Sequence, residues 1–159
     1  MFTRIFSCIF AFLVSIFPWL GKYEPKLNVT ASVEAVITAI KEQDIDTIEA
    51  FMCKNIKDNT ADLREEIENL LDLIDGEITS HSLKVHNDFY MSTGGKSVER
   101  AYSNSIITTT ITTYYLDIRW EIYNNYSLAE RGIRWIGLYI KNGDVYELLT
   151  EIGATEHKS

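Results

Sequence analysis

The sequence predicts an α+β domain in which three N-terminal helices pack on one face of a curved antiparallel sheet. Apolar residues recur with helical spacing in the first half of the chain, and alternating, β-branched and aromatic residues fill the second half. Helices and strands that are segregated in this way are typical of α+β domains. The chain has 159 residues, of which 46% are hydrophobic, so it can form one such domain with an N-terminal extension.

The N-terminal extension comprises residues 1–22. It carries Arg4 near its start and no charged residue from Ile5 to Gly21, which is typical of an export signal or a membrane anchor. Because no pair of small residues marks a cleavage site, we expect a domain that is exported or tethered to a membrane through residues 5–21. A cytoplasmic protein with an amphiphilic N-terminal helix is the alternative.

The charge of the chain argues against nucleic-acid binding. The formal net charge is −8, and the extension contributes Arg4 and Lys22 without any acid, so removing these two positive charges leaves −10 on the rest of the chain. A body of this charge repels a phosphate backbone. We therefore expect no nucleic-acid partner.

Two helices follow a predicted linker. Residues 23–31 are polar and contain Pro25, and Ser32 then offers a cap for the first helix. The apolar face of this helix consists of Val33, Val36, Ile37 and Ile40. A second, shorter helix begins at Asp44 or Asp46, and its apolar residues are Ile48, Phe51 and Met52. Both helices therefore present one apolar face to the rest of the domain.

The third predicted helix runs from Asp62 to Gly76 and has the clearest amphipathic pattern. Acidic residues occupy its first turns, and the glycine is a stop signal. Its apolar stripe consists of Leu63, Ile67, Leu70, Leu71 and Ile74. An apolar stripe on an otherwise acidic helix needs a surface to cover, so we expect this helix to lie on the sheet.

Five strands are expected after the helices. They span Glu77–Val85, Val98–Thr108, Tyr114–Tyr126, Ile133–Ile140 and Val145–Ile152. A polar loop over residues 87–96 separates the first two strands, and Asn142-Gly143-Asp144 forms a tight turn before the last. The domain therefore spans residues 32–153, and residues 154–159 form a frayed tail.

The third strand has two distinct faces. One face carries Tyr114, Leu116, Ile118, Trp120 and Ile122, and the other carries Tyr115, Asp117, Arg119, Glu121 and Tyr123. The apolar face should contact the helices. We expect Asp117, Arg119 and Glu121 to form cross-strand ion pairs in solvent.

Residues 32–153 resemble the nuclear transport factor 2-like superfamily and, more closely, an uncharacterised bacterial family, domain of unknown function family 5104. The residues that carry the resemblance are Asp62–Ile67, Leu70, Ile74-Asp75-Gly76, Thr113-Tyr114 and Gly132-Ile133. The resemblance implies a cone-shaped, cystatin-like fold, in which a twisted sheet curls around the helices. It also implies a small exported protein or lipoprotein, although the lipobox of such proteins is missing here.

Relatives on this fold include isomerases and dehydratases that place an Asp, Glu or His inside the apolar cone. The helix-facing side of the third strand offers no carboxylate, and His81 would reach the cone only if its strand turned it inward. The spacing of His81, His86 and His157 matches no metal site, and we expect Cys8 and Cys53 to be free thiols. We therefore expect no enzyme, no metal and no cofactor.

Aromatic residues are the candidate binding residues, because they make up 12% of the chain and concentrate on the predicted strands. A ligand pocket would use Tyr102, Tyr114 and Trp120. A partner on the outer sheet face would contact Tyr115, Tyr123, Trp135 and Tyr139. All of these residues have an alternative role as ordinary core residues.

The sequence thus predicts a noncatalytic module that binds an unknown small molecule or protein. One alternative is a homodimer that pairs its outer sheet faces. The others are a domain that neutralises a toxin and an isomerase- or dehydratase-like enzyme, both by analogy of fold.

Overall fold

The structure is a computed structural model that describes residues 27–142 and 144–153. Over these residues the chain forms four α-helices, a short 3-10 helix and five strands. The helices are α1 (Val29–Glu42), α2 (Ile45–Phe51), α3 (Lys54–Asn59) and α4 (Leu63–Asp72). The strands are β1 (Ile78–Thr93), β2 (Lys96–Thr109), β3 (Thr113–Asn124), β4 (Gly132–Asn142) and β5 (Val145–Gly153), with the 3-10 helix at Leu128–Glu130. The helices precede the strands, as the α+β prediction requires.

Helix α1 begins earlier than predicted. Asn28 is its cap, and the Oδ1 of Asn28 accepts a hydrogen bond from the backbone N–H of Ala31 at 3.2 Å. The proposed cap Ser32 lies inside the helix and is buried. The predicted linker therefore ends at residue 28 rather than 31, because asparagine is as good a cap as serine.

The second predicted helix is present, and a third short helix follows it that the sequence did not indicate. Asp44 caps α2 by accepting from the backbone N–H of Thr47 at 3.1 Å. Helix α3 has only one buried residue, Ile56, so it shows no apolar period by which it could be recognised. The described residues therefore form four helices, one more than predicted.

Helix α4 lies where the clearest amphipathic pattern predicted a helix. The stripe residues Leu63, Ile67, Leu70 and Leu71 are all buried. The helix ends at Asp72, four residues before Gly76, which has a φ of 83° and lies in the turn into β1. Outside the stripe, Arg64 binds Asp46 at 2.8 Å and Glu49 at 2.6 Å, which ties α4 to α2.

The five strands form one antiparallel sheet in the order β1-β2-β3-β4-β5. The predicted polar loop at residues 87–96 is wrong for most of its length. Strand β1 continues to Thr93, which pairs with Lys96 across Gly94-Gly95. Strand β1 is an edge strand and is largely exposed, so its second half shows no alternation of buried and exposed residues although its backbone is paired.

The helices cover one face of the sheet, called here the helix face. On β3 this face carries Tyr114, Leu116, Ile118, Trp120 and Ile122, all of them buried, as the alternation predicts. The opposite face is called the outer face. Four successive strands contribute to the outer face at matching register, so its side chains lie in rows across the sheet.

Three β-bulges lie side by side in the sheet. The extra residues are Asp88 in β1, Ile122 in β3 and Arg134 in β4. A bulge bends its strand and increases the local twist. These bulges flank the same two pairs, Ala101 with Trp120 and Arg100 with Glu121, so the regular pairing is interrupted at one level of the sheet.

The segment between α2 and α3 is hydrogen-bonded to the start of β4. Met52 forms a parallel bridge with Ile133, and the N–H of Cys53 donates to the carbonyl of Ile133 at 2.9 Å. Gly132 makes this approach feasible: its φ is 120°, and a Cβ added there would lie 2.6 Å from the carbonyl oxygen of Phe51. The helices are therefore hydrogen-bonded to the sheet as well as packed on it.

Among residues 27–142 and 144–153, no helix combines the length and the apolarity needed to span a membrane. The apolar segment 5–21, Cys8, Gly143, His157 and the tail lie outside the described residues.

Gly132→Ala should destabilise the domain strongly. Alanine at a left-handed φ costs roughly 1–2 kcal/mol, and its Cβ would also meet the Phe51 carbonyl. Gly95→Ala is the matched control, because Gly95 also has a positive φ but has no atom within 4 Å of an added Cβ. Urea unfolding should therefore give a larger loss of unfolding free energy for Gly132→Ala than for Gly95→Ala, and equal losses would contradict the close approach.

Candidate functional site: the outer face of the sheet

Two of the predicted ligand-binding residues belong to the core on the helix face. The hydroxyl of Tyr114 accepts from the backbone N–H of Asp75 at 2.9 Å, and the Nε1–H of Trp120 donates to the Oγ of Ser103 at 3.2 Å. Tyr102 lies on the outer face, where its ring stacks on His86 at 4.7 Å. The structure therefore does not bring the three predicted ligand-binding residues together.

An apolar row crosses the outer face. Ile106, Tyr115, Tyr139 and Leu148 follow one another on β2, β3, β4 and β5. The ring of Tyr115 lies 6.0 Å from that of Tyr139 and 5.1 Å from that of Tyr146. We call these five residues the tyrosine row. Desolvation raises the pKa of Tyr115 and of Tyr139.

Trp135 lies next to the tyrosine row but is itself covered. Its ring lies across Gly137, where an added Cβ would be 2.2 Å from the ring. Its Nε1–H donates to Glu151 at 3.2 Å, and the guanidinium of Arg119 lies 4.9 Å above its ring. Trp135 is therefore a platform for Arg119 rather than an open contact residue.

Tyr123 is far from the other predicted partner-binding residues. It is eight residues from Tyr115 along β3, which corresponds to about 26 Å, and its ring lies beneath the guanidinium of Arg131 at 4.9 Å. Of the four predicted partner-binding residues, Tyr115 and Tyr139 are the two whose rings are in contact.

Asp117 is half-buried between these groups. Its carboxylate accepts from the Nδ2 of Asn104 at 3.3 Å. Desolvation raises the pKa of Asp117, and the charge of Arg119 opposes this shift. The opposite position on β4 is Gly137, which has no side chain that could donate a hydrogen bond.

The prediction that Glu121 forms an ion pair in solvent is wrong, because Glu121 is 0% exposed. Its Oε2 accepts from the Nε of Arg100 at 3.1 Å and from the Nη1 of Arg134 at 3.2 Å, and its Oε1 accepts from Asn124. The bulge at Arg134 displaces the register next to Glu121. Alternation alone cannot show this burial, since the bulges change which neighbours meet.

The sequence did carry one signal of this cluster. Four of the six arginines in the chain fall between residues 100 and 134, namely Arg100, Arg119, Arg131 and Arg134. Three of them surround a small pocket with a volume of about 50 Å³. The residues that line it include Asp88, Arg100, Arg119, Trp120, Arg134 and Trp135. We call it the arginine pocket.

An open cleft of about 460 Å³ lies beside the same bulges, at the end of the domain where α2 meets α3. Phe51, Met52 and Leu128 give it apolar walls, and Lys57 and Arg131 are at its rim. The cleft is open, so it would enclose little of the surface of a small molecule.

His81 and Cys53, whose side chains could take part in catalysis or metal binding, lie away from the outer face. His81 lies on the helix face at the sheet edge, where its Nε2 is 2.8 Å from Glu34 of α1. Cys53 is buried, and desolvation raises the pKa of its thiol. Within the described part of the chain, no group of three or more His, Cys, Asp or Glu residues is arranged to hold a metal ion.

Asp117→Asn should stabilise the domain at pH 7. The pKa of Asp117 is raised in the folded state, so the charged carboxylate lowers the unfolding free energy at pH values above that pKa. This loss of unfolding free energy disappears as the pH falls towards the ordinary aspartate pKa, about 4. The gain from Asp117→Asn should therefore shrink between pH 7 and pH 4 in urea unfolding. Asp72→Asn, at an exposed position on α4, serves as the control. A gain independent of pH would contradict the assigned cause.

Glu121→Gln should cost about 3 kcal/mol of unfolding free energy, because it leaves two arginines without their buried carboxylate. The control is Glu147→Gln, at an exposed glutamate that accepts from Asn142 at 2.9 Å, and it should stay within about 0.5 kcal/mol of the wild type. Chemical denaturation of both variants provides the measurement. Similar values for the two would show that Glu121 does not hold the arginines.

The comparison with known proteins agrees with part of the sequence resemblance. Residues 35–142 match the family model described as Domain of unknown function (DUF5104). This segment begins within α1 and ends with β4, so it includes the arginine pocket and three residues of the tyrosine row. No curated protein matches the chain. Because the match covers more than half of the sequence, the chain belongs to the DUF5104 family.

Proposed function

We propose that this domain is a noncatalytic binding module whose outer sheet face binds a protein, and that the protein is a second copy of the chain. The observation that supports the proposal is the tyrosine row. Ile106 is 43% exposed, Tyr146 is 48% exposed and Leu148 is 45% exposed. Apolar residues exposed singly are ordinary on a protein surface, whereas contiguous ones indicate an interaction site.

The charges around the row favour a second copy as the partner. The row has no charged residue, so it brings no like charges together in a chain of net charge −8. The adjacent row runs across the sheet from Lys84 on β1 through Asp117 to Glu151 on β5. A two-fold axis parallel to β3 would place Lys84 of one copy opposite Glu151 of the other, so the two ends of this row are complementary. The same axis places Asp117 opposite its own copy, which is a like-charge contact at the centre and limits the affinity.

The same axis would pair the apolar residues. Tyr115 on the central strand would face its own copy, and Ile106 on β2 would face Tyr139 on β4. Five strands about 4.8 Å apart, over four rows about 6.7 Å apart, give roughly 600 Å² per copy. This is below the roughly 800 Å² per partner of a standard stable interface, so we expect a weak dimer.

We also propose that the fold is the nuclear transport factor 2-like cone. The three adjacent bulges and the packing of all helices on one face support it, and a crystal structure of the domain would test it through the curvature of the sheet.

Ile106→Glu and Leu148→Glu should each abolish dimerisation without unfolding the domain. Both positions are exposed, so the charge is tolerated in the monomer but would be buried unpaired in the dimer. Sedimentation velocity from about 10 to about 500 µM covers the range of a small interface. The matched control is Ile111→Glu, at an exposed isoleucine in the β2–β3 turn, which should dimerise like the wild type.

The proposal has two clear contrary outcomes. One is a wild-type chain that remains monomeric over the whole concentration range. The other is a dimer that is unaffected by both substitutions in the tyrosine row, which would place the interface elsewhere.

A further inference from the structure

We propose that the arginine pocket binds a small oxyanion, namely a carboxylate or phosphate group. The pocket begins at Arg119, four residues from Tyr115 along β3, and no residue of the tyrosine row lines it. Its ligand is therefore tested separately from the dimer.

The pocket is lined by more positive than negative charge. Arg100, Arg119 and Arg134 line it, whereas Asp88 is the one acid that does so among the described residues. Glu121 does not line it, and its carboxylate already accepts from Arg100 and Arg134. In a chain with a net charge of −8, three guanidinium groups around one small pocket are a specific feature, and Glu121 and Glu130 pair with Arg100 and Arg134.

The arginines are held in place before any ligand arrives. Glu121 is buried and binds both Arg100 and Arg134, and Glu130 lies 3.6 Å from the Nε of Arg134. Arg119 is held differently, since its guanidinium lies on the ring of Trp135. Side chains that are already ordered lose less conformational entropy on binding, and planar guanidinium groups match the oxygens of carboxylates and phosphates.

The size of the pocket limits the ligand group. The volume of about 50 Å³ exceeds the roughly 10–15 Å³ that a cavity needs to hold one water molecule. We therefore expect the pocket to take one oxyanion group, with the rest of a larger molecule along the outer face. Trp135 lines the pocket and its ring lies under the guanidinium of Arg119, so bound anions should alter tryptophan fluorescence.

The test is a fluorescence titration of the wild-type chain with sodium phosphate and with sodium acetate, at an ionic strength kept constant with sodium chloride. We expect a saturable change with at least one of the two ions. Phosphate alone would indicate a phosphate-bearing ligand, acetate alone would indicate a carboxylate, and either result supports the site. Sodium chloride alone should give no saturable change.

Substitutions localise the binding. Arg119→Gln should weaken binding about tenfold, as expected for the loss of one charge-assisted hydrogen bond. Arg119 is exposed, so the substitution should leave the domain folded. Asp88→Asn should strengthen binding, because it removes the acid from the pocket. Arg64→Gln makes the same charge change on α4, away from the pocket, and should bind like the wild type.

Three results would overturn the proposal: no saturable change with either ion, equal affinities for wild type and Arg119→Gln, or equal losses for Arg119→Gln and Arg64→Gln. Calorimetry of the wild type and of Arg119→Gln with the same ions measures binding without the tryptophan signal, so a loss of signal is separated from a loss of binding. Ile106→Glu, which should be monomeric, must bind the ion as the wild type does, so failure of the dimer and failure of the pocket are distinguishable.

Discussion

The meeting of three bulges at one level of the sheet is the constraint on which the rest of the structure depends. The extra residues are Asp88 in β1, Ile122 in β3 and Arg134 in β4. A bulge interrupts the regular pairing and redirects the side chains beside it. The same level includes the junction of Met52 with Ile133, so the helices are hydrogen-bonded to the sheet where its pairing is irregular.

The bulges explain why polar groups are buried on the side that no helix covers. In a regular strand Glu121 would point into solvent between Arg119 and Tyr123. Beside the bulges it is instead enclosed by Arg100, Arg134 and Asn124. Asn124 in turn accepts from the backbone N–H groups of Tyr126 and Ser127 with its Oδ1. One buried carboxylate thus organises two strands and the connection between β3 and β4, at a cost in desolvation that its three partners offset.

Much of the fold could be predicted from the sequence because the responsible signals are local. The stripe from Leu63 to Leu71 and the alternation from Tyr114 to Ile122 each depend on one element and one buried face. The second half of β1 and helix α3 could not be predicted, because an edge strand and a six-residue helix bury too few residues to produce a hydrophobic periodicity in the sequence. The candidate site was less predictable. The contact of Tyr115 with Tyr139 depends on strand register, and the enclosure of Glu121 depends on bulges, neither of which is encoded in a single stretch of residues.

The irregularities of the two edge strands have a consequence for how the protein behaves at high concentration. Strand β1 has extra residues at Thr79 and Asp88, and β5 has one at Leu149. An edge strand that is interrupted in this way is a poor template for a further strand from another chain. Edge-to-edge growth into ordered fibrils should therefore be suppressed, although β1 carries the exposed residues Phe89, Tyr90 and Met91. A chain whose edges resist addition can expose apolar residues on a sheet face and still remain in solution.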